Sequence, residues 1–583
     1  MHLLDWMIML GTLFGIVVYG VWKTRNVNNV QSYLLGDRDL PWWTIGLSIM
    51  ATQASAITFL STPGQAYQDG MRFAQFYFGL PVAMVILCIF VLPIYYRLKV
   101  YTAYEYLEGR FDLKTRTLTA ILFLIQRGLA AGITIYAPAI ILSTILGWSL
   151  SITILFIGVV VIFYTVMGGT KAVSVTQKQQ MIVILGGMFF AAAYLVSRLP
   201  SDVSFGDAVG VAGKMGKLNV VDFKFDLSTR YNFWSGMIGG VFLFLSYFGT
   251  DQSQVQRYLS GKSLTESRLG LLFNGIFKVP MQFLVLFVGI LVFVFFQFNQ
   301  PPVHFNKANL EKIQTEMSLE QLSNLEEQHT DIFNLQQTEV RNLISAIDSG
   351  NDTEIQEAQD RVQALQAEDE KVRTQVKQLI QKEAPGTIVE DRDYVFITFI
   401  TTYLPIGLVG LLLAVIFSAA MSSTASELNA LATTTVVDIY RRSFVKEQSD
   451  RHYLRASKGF TILWGVIALI FAASADLFEN LIQAVNIIGS LFYGAILGIF
   501  LVAFFMKWVR SRAVFIGALL GELLVLLLFT MNATGFELEI FGIVLRVKIA
   551  YLWLNLIGCA LVMVISAILQ VIMGNGNSGT EAG

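Results

Sequence analysis

The chain has 583 residues, of which 55% are hydrophobic and only 14% are charged, and its formal net charge is −1. A mean hydropathy of +0.60 over this length is typical of a protein that crosses a membrane many times. The nearly balanced charge gives no electrostatic basis for binding nucleic acid. The two cysteines, Cys88 and Cys559, both fall in apolar stretches, which excludes a disulfide framework.

Apolar runs of about 20 residues, the length of a helix that crosses a bilayer, occur about thirteen times. Their approximate positions are 3–22, 42–62, 73–98, 118–147, 150–168, 179–198, 232–252, 268–299, 395–425, 456–474, 478–506, 511–531 and 547–573. The first run lacks the basic leader and the small-residue cleavage site of a secretory signal, so we expect it to be a span. The sequence therefore predicts an all-α polytopic membrane protein with about thirteen transmembrane helices.

Clusters of Lys and Arg follow the odd-numbered spans. They lie at Arg97-Leu-Lys99, 110–116, 171–178, 257–268, Arg441-Arg442 and 507–512. Basic loops stay in the cytoplasm, so this pattern predicts an N-terminus outside and a short C-terminal tail inside the cell. The predicted location is the plasma membrane, or the inner membrane of a bacterium.

That orientation places residues 300–393, the only large polar segment, on the outer side of the membrane. The segment reads as two long helices broken at Asp348-Ser-Gly-Asn-Asp352. The second helix carries a heptad seam that consists of Ala358, Val362, Leu365, Asp369, Val372, Val376 and Leu379. The first helix carries apolar residues that could face this seam, namely Leu322, Leu325, Ile332, Leu343 and Ile347. We expect a coiled-coil hairpin that is either a solvated spacer or a docking surface for a partner protein.

Four regions follow from these boundaries: 1–299, the insert 300–393, 394–506, and 507–583 with the last two spans and the tail.

Two spans look like broken helices. The second contains Ala51-Thr-Gln-Ala-Ser-Ala56, and the seventh contains Gly249-Thr-Asp-Gln252. They lie five spans apart and therefore cross the membrane in opposite directions, as an inverted five-plus-five repeat of spans 2–6 and 7–11 predicts. The pairing favours a secondary transporter.

The ninth span carries hydroxyl side chains deep in an uncharged stretch. No charge occurs from Gly410 to Glu427, yet Ser418, Ser422 and Ser423 lie within it. Hydroxyls and freed carbonyls are suitable ligands for a small hard cation such as sodium. Small polar residues also let membrane helices pack closely, so the pattern alone leaves both interpretations open.

Four ordered motifs stand out along the chain, namely Thr102-Ala-Tyr-Glu-Tyr-Leu-Glu-Gly-Arg-Phe111, Gly168-Gly-Thr-Lys-Ala-Val173, Asp251-Gln-Ser-Gln-Val-Gln-Arg-Tyr258 and Ala419-Ala-Met-Ser-Ser-Thr-Ala-Ser-Glu-Leu-Asn429. Together they resemble the sodium/solute symporter family, which includes sodium-coupled glucose, sialic acid, iodide, multivitamin and monocarboxylate carriers. The resemblance covers nearly everything except the insert. It implies a LeuT-type inverted-repeat fold and sodium as the coupling ion.

The resemblance also implies site residues. Sodium would bind the carbonyls of Ala51, Ala54 and Ala419 and the hydroxyls of Ser422 and Ser423. Many relatives have an aspartate where this chain has Gln177, beside Lys178, and some use it with a serine like Ser426 for a second sodium ion. We therefore expect one sodium ion per cycle.

The solute cavity implied by the resemblance would contain Gln53, Ser55, Thr58, Phe73 and Tyr77. Beyond the seventh-span break it would include Asp251 and Gln252, and Arg127 of the fourth span would lie near them. An arginine at this depth must be paired or line a cavity. It could bind a carboxylate solute, pair with Asp251 or another carboxylate, or reach the interface.

The sequence thus predicts a sodium-coupled symporter of a small polar or anionic solute, with a carboxylate favoured and a sugar next. The alternatives are proton-coupled or uncoupled transport through Lys178, and a membrane scaffold that presents the insert to a partner. The four histidines, His2, His304, His329 and His452, all lie outside the core spans, and no nucleophile–base pair is visible. We do not expect an enzyme.

Overall fold

The structure is a computed structural model that describes residues 2–24, 33–34, 38–474, 481–535, 538–540, 543–545 and 548–574. Most of these residues are helical. A hairpin of two three-residue strands, β1 (Leu538–Ile540) and β2 (Ile543–Leu545), is the one sheet among them. The predicted cytoplasmic tail lies almost wholly outside the described residues.

The N-terminal part contains twelve α-helices within the described residues. They are α1 (Leu3–Thr24), α2 (Trp42–Gln53), α3 (Ala56–Asp69), α4 (Gly79–Ile86), α5 (Leu92–Leu98), α6 (Glu105–Arg110), α7 (Leu113–Leu146), α8 (Leu150–Ser197), α9 (Phe205–Lys214), α10 (Gly240–Gly249), α11 (Gln252–Leu259) and α12 (Leu264–Phe298). A 3₁₀ segment (Gly70–Tyr77) and two π-helical segments (Leu87–Val91 and Ser235–Gly239) join some of them.

Helix α8 contains the predicted fifth and sixth spans, which meet at a kink. Gly169 has φ 59° and ψ −173° at the kink, and a Cβ there would lie 2.6 Å from the Tyr33 ring. A side chain is therefore excluded at this position by both the backbone conformation and the close approach.

The remaining helices contain the insert and the last five predicted spans. They are α13 (Lys307–Leu310), α14 (Glu316–Ser349), α15 (Asp352–Glu383), α16 (Val395–Tyr403), α17 (Leu408–Thr434), α18 (Asp450–Ala472), α19 (Leu481–Phe505), α20 (Ser511–Thr534) and α21 (Trp553–Met573). Short 3₁₀ and π-helical segments occupy Arg392–Tyr394 and Thr435–Phe444.

The predicted ninth span, 395–425, is not one continuous helix. It is divided between α16 and α17 because Pro405 supplies no N–H donor and Gly407 has φ 93°. Helix α17 then continues to Thr434, nine residues beyond the predicted end. Most of its side chains are buried, including Ser422 and Ser423, so α17 lies at the centre of the bundle.

Eleven stretches of the described chain are helical, long and apolar enough to cross a membrane. The predicted seventh span is a shorter apolar helix, Ser235–Gly249, and the predicted second span is divided between α2 and α3. The all-α membrane architecture is confirmed. The total of thirteen spans and the inverted repeat stay predictions.

Both predicted helix breaks are present. Helix α2 ends at Gln53 and α3 begins at Ala56, with Ala54 in a non-helical conformation (φ −87°, ψ 78°). Helix α10 ends at Gly249, and Asp251 accepts a hydrogen bond from Ser253 N as the N-cap of α11. Each break frees backbone carbonyls at the end of one helix and amides at the start of the next.

The insert is a helical hairpin that turns at Gly350, as predicted, and it packs on the membrane domain. Seam residues Val372, Val376 and Leu379 are buried against Leu325 of α14. The hairpin reaches the end of α12, where Gln336 Nε2 donates to Gln297 Oε1 at 2.7 Å.

A buried polar cluster anchors the hairpin at the same place. His329 hydrogen-bonds Asp369 and the Pro301 carbonyl, and Arg373 donates to the Val303 carbonyl at 3.2 Å. Burial opposes ionisation of Asp369, but the hydrogen bond from His329 and the charge of Arg373 prevail and lower its pKa. Asp369, a charged residue at a predicted seam position, therefore helps to anchor the hairpin.

The basic clusters meet on the opposite side of the bundle. Arg110 donates to the Met506 and Val509 carbonyls, and Arg442 pairs with Glu108. The loops after predicted spans 3, 9 and 11 thus lie together, away from the insert. We call the two faces the insert side and the basic side.

Candidate sodium and solute site

The serine pair of α17 faces the break between α2 and α3. Ser422 Oγ lies 3.0 Å from the Ala51 carbonyl oxygen and 2.9 Å from that of Ala419, so this hydroxyl joins the two helices. Ser423 Oγ lies 2.9 Å from the Ala419 carbonyl oxygen. Two carbonyls and two hydroxyls predicted as sodium ligands are therefore brought together in one buried place.

The fifth predicted ligand, Ala54, lies in the break itself and is fully buried. Among the described residues no hydrogen bond joins it to Ser422 or Ser423. Because the backbone at Ala54 is non-helical, α2 ends there and its last carbonyls lack the partners that a continued helix would supply. Neutral oxygens of this kind suit a monovalent hard cation, since none needs to lose a proton on binding.

Gln177 of α8 occupies the place next to this cluster. Its amide nitrogen donates to Thr52 Oγ1 at 3.0 Å, to the Ser422 carbonyl at 3.0 Å and to Ser426 Oγ at 2.9 Å. Ser48 donates to its amide oxygen. A neutral amide donor therefore points at Ser426 Oγ, the hydroxyl that the resemblance links to a second sodium ion.

Lys178 is turned away from the serine pair. Its Nζ lies 4.7 Å from the centroid of the Trp43 ring, and Trp43 is 40% exposed. An ammonium on an exposed ring is typical of a side chain that reaches the membrane interface. Lys178 is thus not brought to Ser422 or Ser423.

A cavity of about 90 Å³ lies beside the break. It is lined by five of the predicted solute residues, Gln53, Ser55, Thr58, Tyr77 and Arg127. The N-terminus of α3 begins at its wall, because Ser55 is the N-cap of that helix. A helix start presents free amides and a partial positive charge to the cavity.

Three other predicted solute residues do not line the cavity. Phe73 stacks on Phe76, with ring centroids 5.4 Å apart, and supports the wall from behind. Gln252 donates to the Tyr101 carbonyl at 2.8 Å, which ties α11 to the loop before α6. Asp251 lies behind Arg127.

Arg127 forms a buried ion cluster with two carboxylates. Its Nε lies 3.0 Å from Asp251 Oδ2, and its Nη1 lies 3.1 Å from Glu427 Oε1. Tyr493 OH also donates to Asp251 at 3.0 Å, and the guanidinium lies 5.3 Å from the centroid of the Tyr247 ring. The guanidinium is therefore matched by carboxylates of this chain, although it still borders the cavity.

Glu427 and Tyr493 were not among the predicted site residues, and both line the cavity. Glu427 could have been found, because it ends a long uncharged run in a membrane helix, where a charge usually marks a functional site. Tyr493 has no comparable signal. It lies in α19, whose proximity to α7 is set by tertiary packing.

Carbonyl and hydroxyl oxygens gathered at a broken membrane helix, next to a small cavity, are typical of secondary transporters. The family model for the sodium:solute symporter family matches residues 33–321 and 375–521. The chain belongs to this family. Sodium is accordingly its coupling ion, and the protein is a multi-pass membrane transporter and not an enzyme.

Similar proteins include transporters of several solutes. The chain is 27% identical over 510 residues to the sodium-coupled monocarboxylate transporter 2 of Bos taurus, covering 88% of this chain and 69% of that protein. It is 33% identical over 272 residues to the human sodium/iodide cotransporter, covering 46% of this chain and 41% of the other. A solved structure of a Na⁺-coupled sialic acid symporter superposes with a TM-score of 0.72 at 21% identity over 97% of each chain, which shows a shared fold.

Proposed function

We propose that this chain imports a small monocarboxylate together with one sodium ion. The observation that carries the proposal is the shared position of two features at the α2–α3 break. The Ala51, Ala419, Ser422 and Ser423 oxygens lie on one side of it, and the amide end of α3 opens to the cavity at Ser55. Sodium and the N-terminus of α3 would together supply positive charge for a carboxylate.

The size of the cavity supports a small solute. On the measure by which one water molecule needs about 10–15 Å³, a cavity of about 90 Å³ holds several water molecules, which is enough for a small polar solute. The name of the bovine relative, which covers most of this chain, also supports a monocarboxylate. Arg127 would hold the wall of the cavity through Asp251 and Glu427 and contact the solute at its edge.

One sodium ion per cycle follows from Gln177. Its amide nitrogen donates to Ser426 Oγ and the Ser422 carbonyl, so these oxygens face a partial positive charge. A second sodium ion would have to displace that donor without a carboxylate to compensate it. Proton coupling through Lys178 is the alternative, and its contact with Trp43 weighs against it.

The basic side would face the cytoplasm of a cell bounded by the plasma membrane, with the N-terminus outside and the C-terminus inside. The four regions 1–299, 300–393, 394–506 and 507–583 would then be two parts of the transport core, an outer hairpin and a terminal pair of spans. The hairpin exposes Met317, Leu319 and Leu335, which could bind a partner protein. This scaffold role would add to transport rather than replace it.

Uptake into proteoliposomes tests the proposal. Purified protein would be reconstituted with potassium inside, and radiolabelled acetate, propionate, lactate and glucose would be offered with external sodium or potassium. We expect sodium-dependent accumulation of one or more monocarboxylates and none of glucose. Accumulation driven by a pH gradient, with no effect of sodium, would contradict sodium coupling; sodium-driven glucose uptake would contradict the solute class.

A hairpin deletion tests whether the hairpin takes part in transport. Removing about 305–385 should leave sodium-dependent uptake measurable if the hairpin is a spacer. Loss of uptake in a variant that still folds would instead assign the hairpin a part in transport.

A further inference from the structure

A row of buried polar side chains follows one face of α12. Asn274, Lys278 and Gln282 are spaced four residues apart, so they lie one above the other on the helix, and all three are 0% exposed. The Lys278 amine and both polar atoms of each amide have no hydrogen-bond partner among the described residues. Unpartnered polar groups within a membrane span are costly and usually mark a ligand path.

Lys278 lies alongside the break between α2 and α3. A Cβ on Gly270, two turns before it, would lie 2.6 Å from Ile45 of α2. A Cβ on Gly289, three turns after it, would collide with Pro63 of α3. The two contacts show that α12 runs in the same direction as α2 and α3, which places Lys278 level with the residues between those helices.

The Lys278 amine is also close to the cavity wall. Nζ lies 5.8 Å from the centroid of the Tyr77 ring, and Tyr77 lines the cavity. One aromatic ring thus separates the amine from the candidate solute site. The unpartnered Gln53 Oε1 belongs to the same cavity wall.

No carboxylate in the described part of the chain neutralises Lys278. Within the described residues, no Asp or Glu oxygen lies within 4.0 Å of its Nζ, whereas Arg127 has two such partners. Burial without a counter-charge strongly disfavours an ammonium, because its solvation is lost and nothing replaces it. The charged form needs a counter-anion, and the described residues do not supply one.

We propose that Lys278, with the amides of Asn274 and Gln282, forms a binding site for a small monovalent anion. The ammonium would supply the charge, and the two amide groups would donate hydrogen bonds on either side of it. The anion is either chloride bound beside the solute or the carboxylate of the solute itself. In the second case the carboxylate would bind at Lys278 instead of at the amide end of α3. The carboxylate source rests on the proposed function, whereas the chloride source does not.

Thermal unfolding of the purified full-length protein, followed by intrinsic tryptophan fluorescence, tests the site. Sodium would be held constant with the bulky sulfonate HEPES as counter-anion, and chloride, acetate or propionate would be titrated in. We expect a saturable rise of the unfolding midpoint with at least one of these anions. Lys278→Gln should weaken the apparent affinity for the anion tenfold or more, and Lys278→Arg should retain part of that affinity. The control is Lys262→Gln, which should behave as wild type because the Lys262 side chain is 56% exposed.

The arms separate the two sources and the underlying function. If chloride alone raises the unfolding midpoint, the site binds an inorganic anion. If a carboxylate raises the midpoint and added chloride does not weaken this effect, the site binds the carboxylate headgroup of the solute. No anion response in the wild type, or an equal response in Lys278→Gln, overturns the site. If Lys278→Gln does not fold, Asn274→Leu combined with Gln282→Leu should weaken anion binding in its place, and an unchanged affinity overturns the site. Stabilisation by sodium, measured in HEPES alone, reports on the proposed sodium site. If sodium does not stabilise the protein, the proposed function fails independently of the anion site.

Discussion

Removing Arg127 from its buried ion cluster should destabilise the transport core by leaving a carboxylate unpaired, and Arg127→Gln tests this. Asp251 would keep its hydrogen bonds from Ser253 N, Ser253 Oγ and Tyr493 OH, at 2.9, 2.6 and 3.0 Å. Glu427 is less well supported, because its Oε2 has no hydrogen-bond partner among the described residues. Most of the loss should therefore come from Glu427.

Removing one partner of a buried ion pair destabilises a protein by about 3–5 kcal/mol. We expect Arg127→Gln to lower the free energy of unfolding by an amount in that range. Adding Glu427→Gln removes the unpaired charge, so the double variant should recover about 1–3 kcal/mol of the loss. Asp251→Asn, whose parent carboxylate has other donors, should rescue Arg127→Gln less.

Equilibrium unfolding in mixed micelles with rising SDS would measure these differences by tryptophan fluorescence. Arg198→Gln is the matched control, because Arg198 is exposed and its guanidinium stacks on the Tyr194 ring at 4.9 Å. It should change the free energy of unfolding by less than about 1 kcal/mol. Two results would contradict this expectation: Arg127→Gln within about 1 kcal/mol of wild type, or strictly additive effects of Arg127→Gln and Glu427→Gln.

Two further predictions concern close packing and pH. Gly236→Ala should destabilise the fold by about 3 kcal/mol or more, because the added Cβ would collide with the Gln75 carbonyl. Gly186→Ala, at a glycine with open space around it, should be neutral or slightly stabilising. Thermal unfolding of both variants measures the difference. Burial lowers the pKa of Lys217, which donates to the Tyr67 and Gln68 carbonyls on the insert side, to about 8. The unfolded chain then binds more protons than the folded one between about pH 8 and 10.5, so the Lys217 contribution to stability should rise over that window. Lys217→Met should remove this slope, and an unchanged pH profile would argue against burial of the amine.

Local sequence patterns located the helix break and the serine cluster but missed a break in the ninth span. The break at Ala51–Ala56 and the serines of α17 were visible because a cluster of small and polar residues inside an apolar span is costly unless it serves close packing or a site. The division of the ninth span was missed although Pro405 and Gly407 mark it. Hydropathy averages over such a short interruption, so an apolar run conceals it.

Partners distant in sequence could be predicted only as one alternative among several. Arg127 was expected to bind a solute or to pair with Asp251 or another carboxylate, and the structure shows two carboxylates from α11 and α17 around it. Which of these elements approach α7 depends on the packing of the whole bundle. The anchoring of Asp369 to His329 was hidden for the same reason, since a seam position normally predicts an apolar contact.

A sodium titration of purified protein is the sharpest test of the proposed cation site. The unfolding midpoint would be measured against sodium or potassium in wild type, in Ser422→Ala combined with Ser423→Ala, and in Ser418→Ala. Ser418 is a matched control because it is buried on the same helix, one turn from Ser422. At ten times the dissociation constant, bound sodium should stabilise the folded wild type by about 1.4 kcal/mol. We expect a saturable, sodium-specific rise in wild type and Ser418→Ala that is lost in the double variant. Equal responses to sodium and potassium, or an undiminished sodium response in the double variant, would show that sodium does not bind at the serine pair.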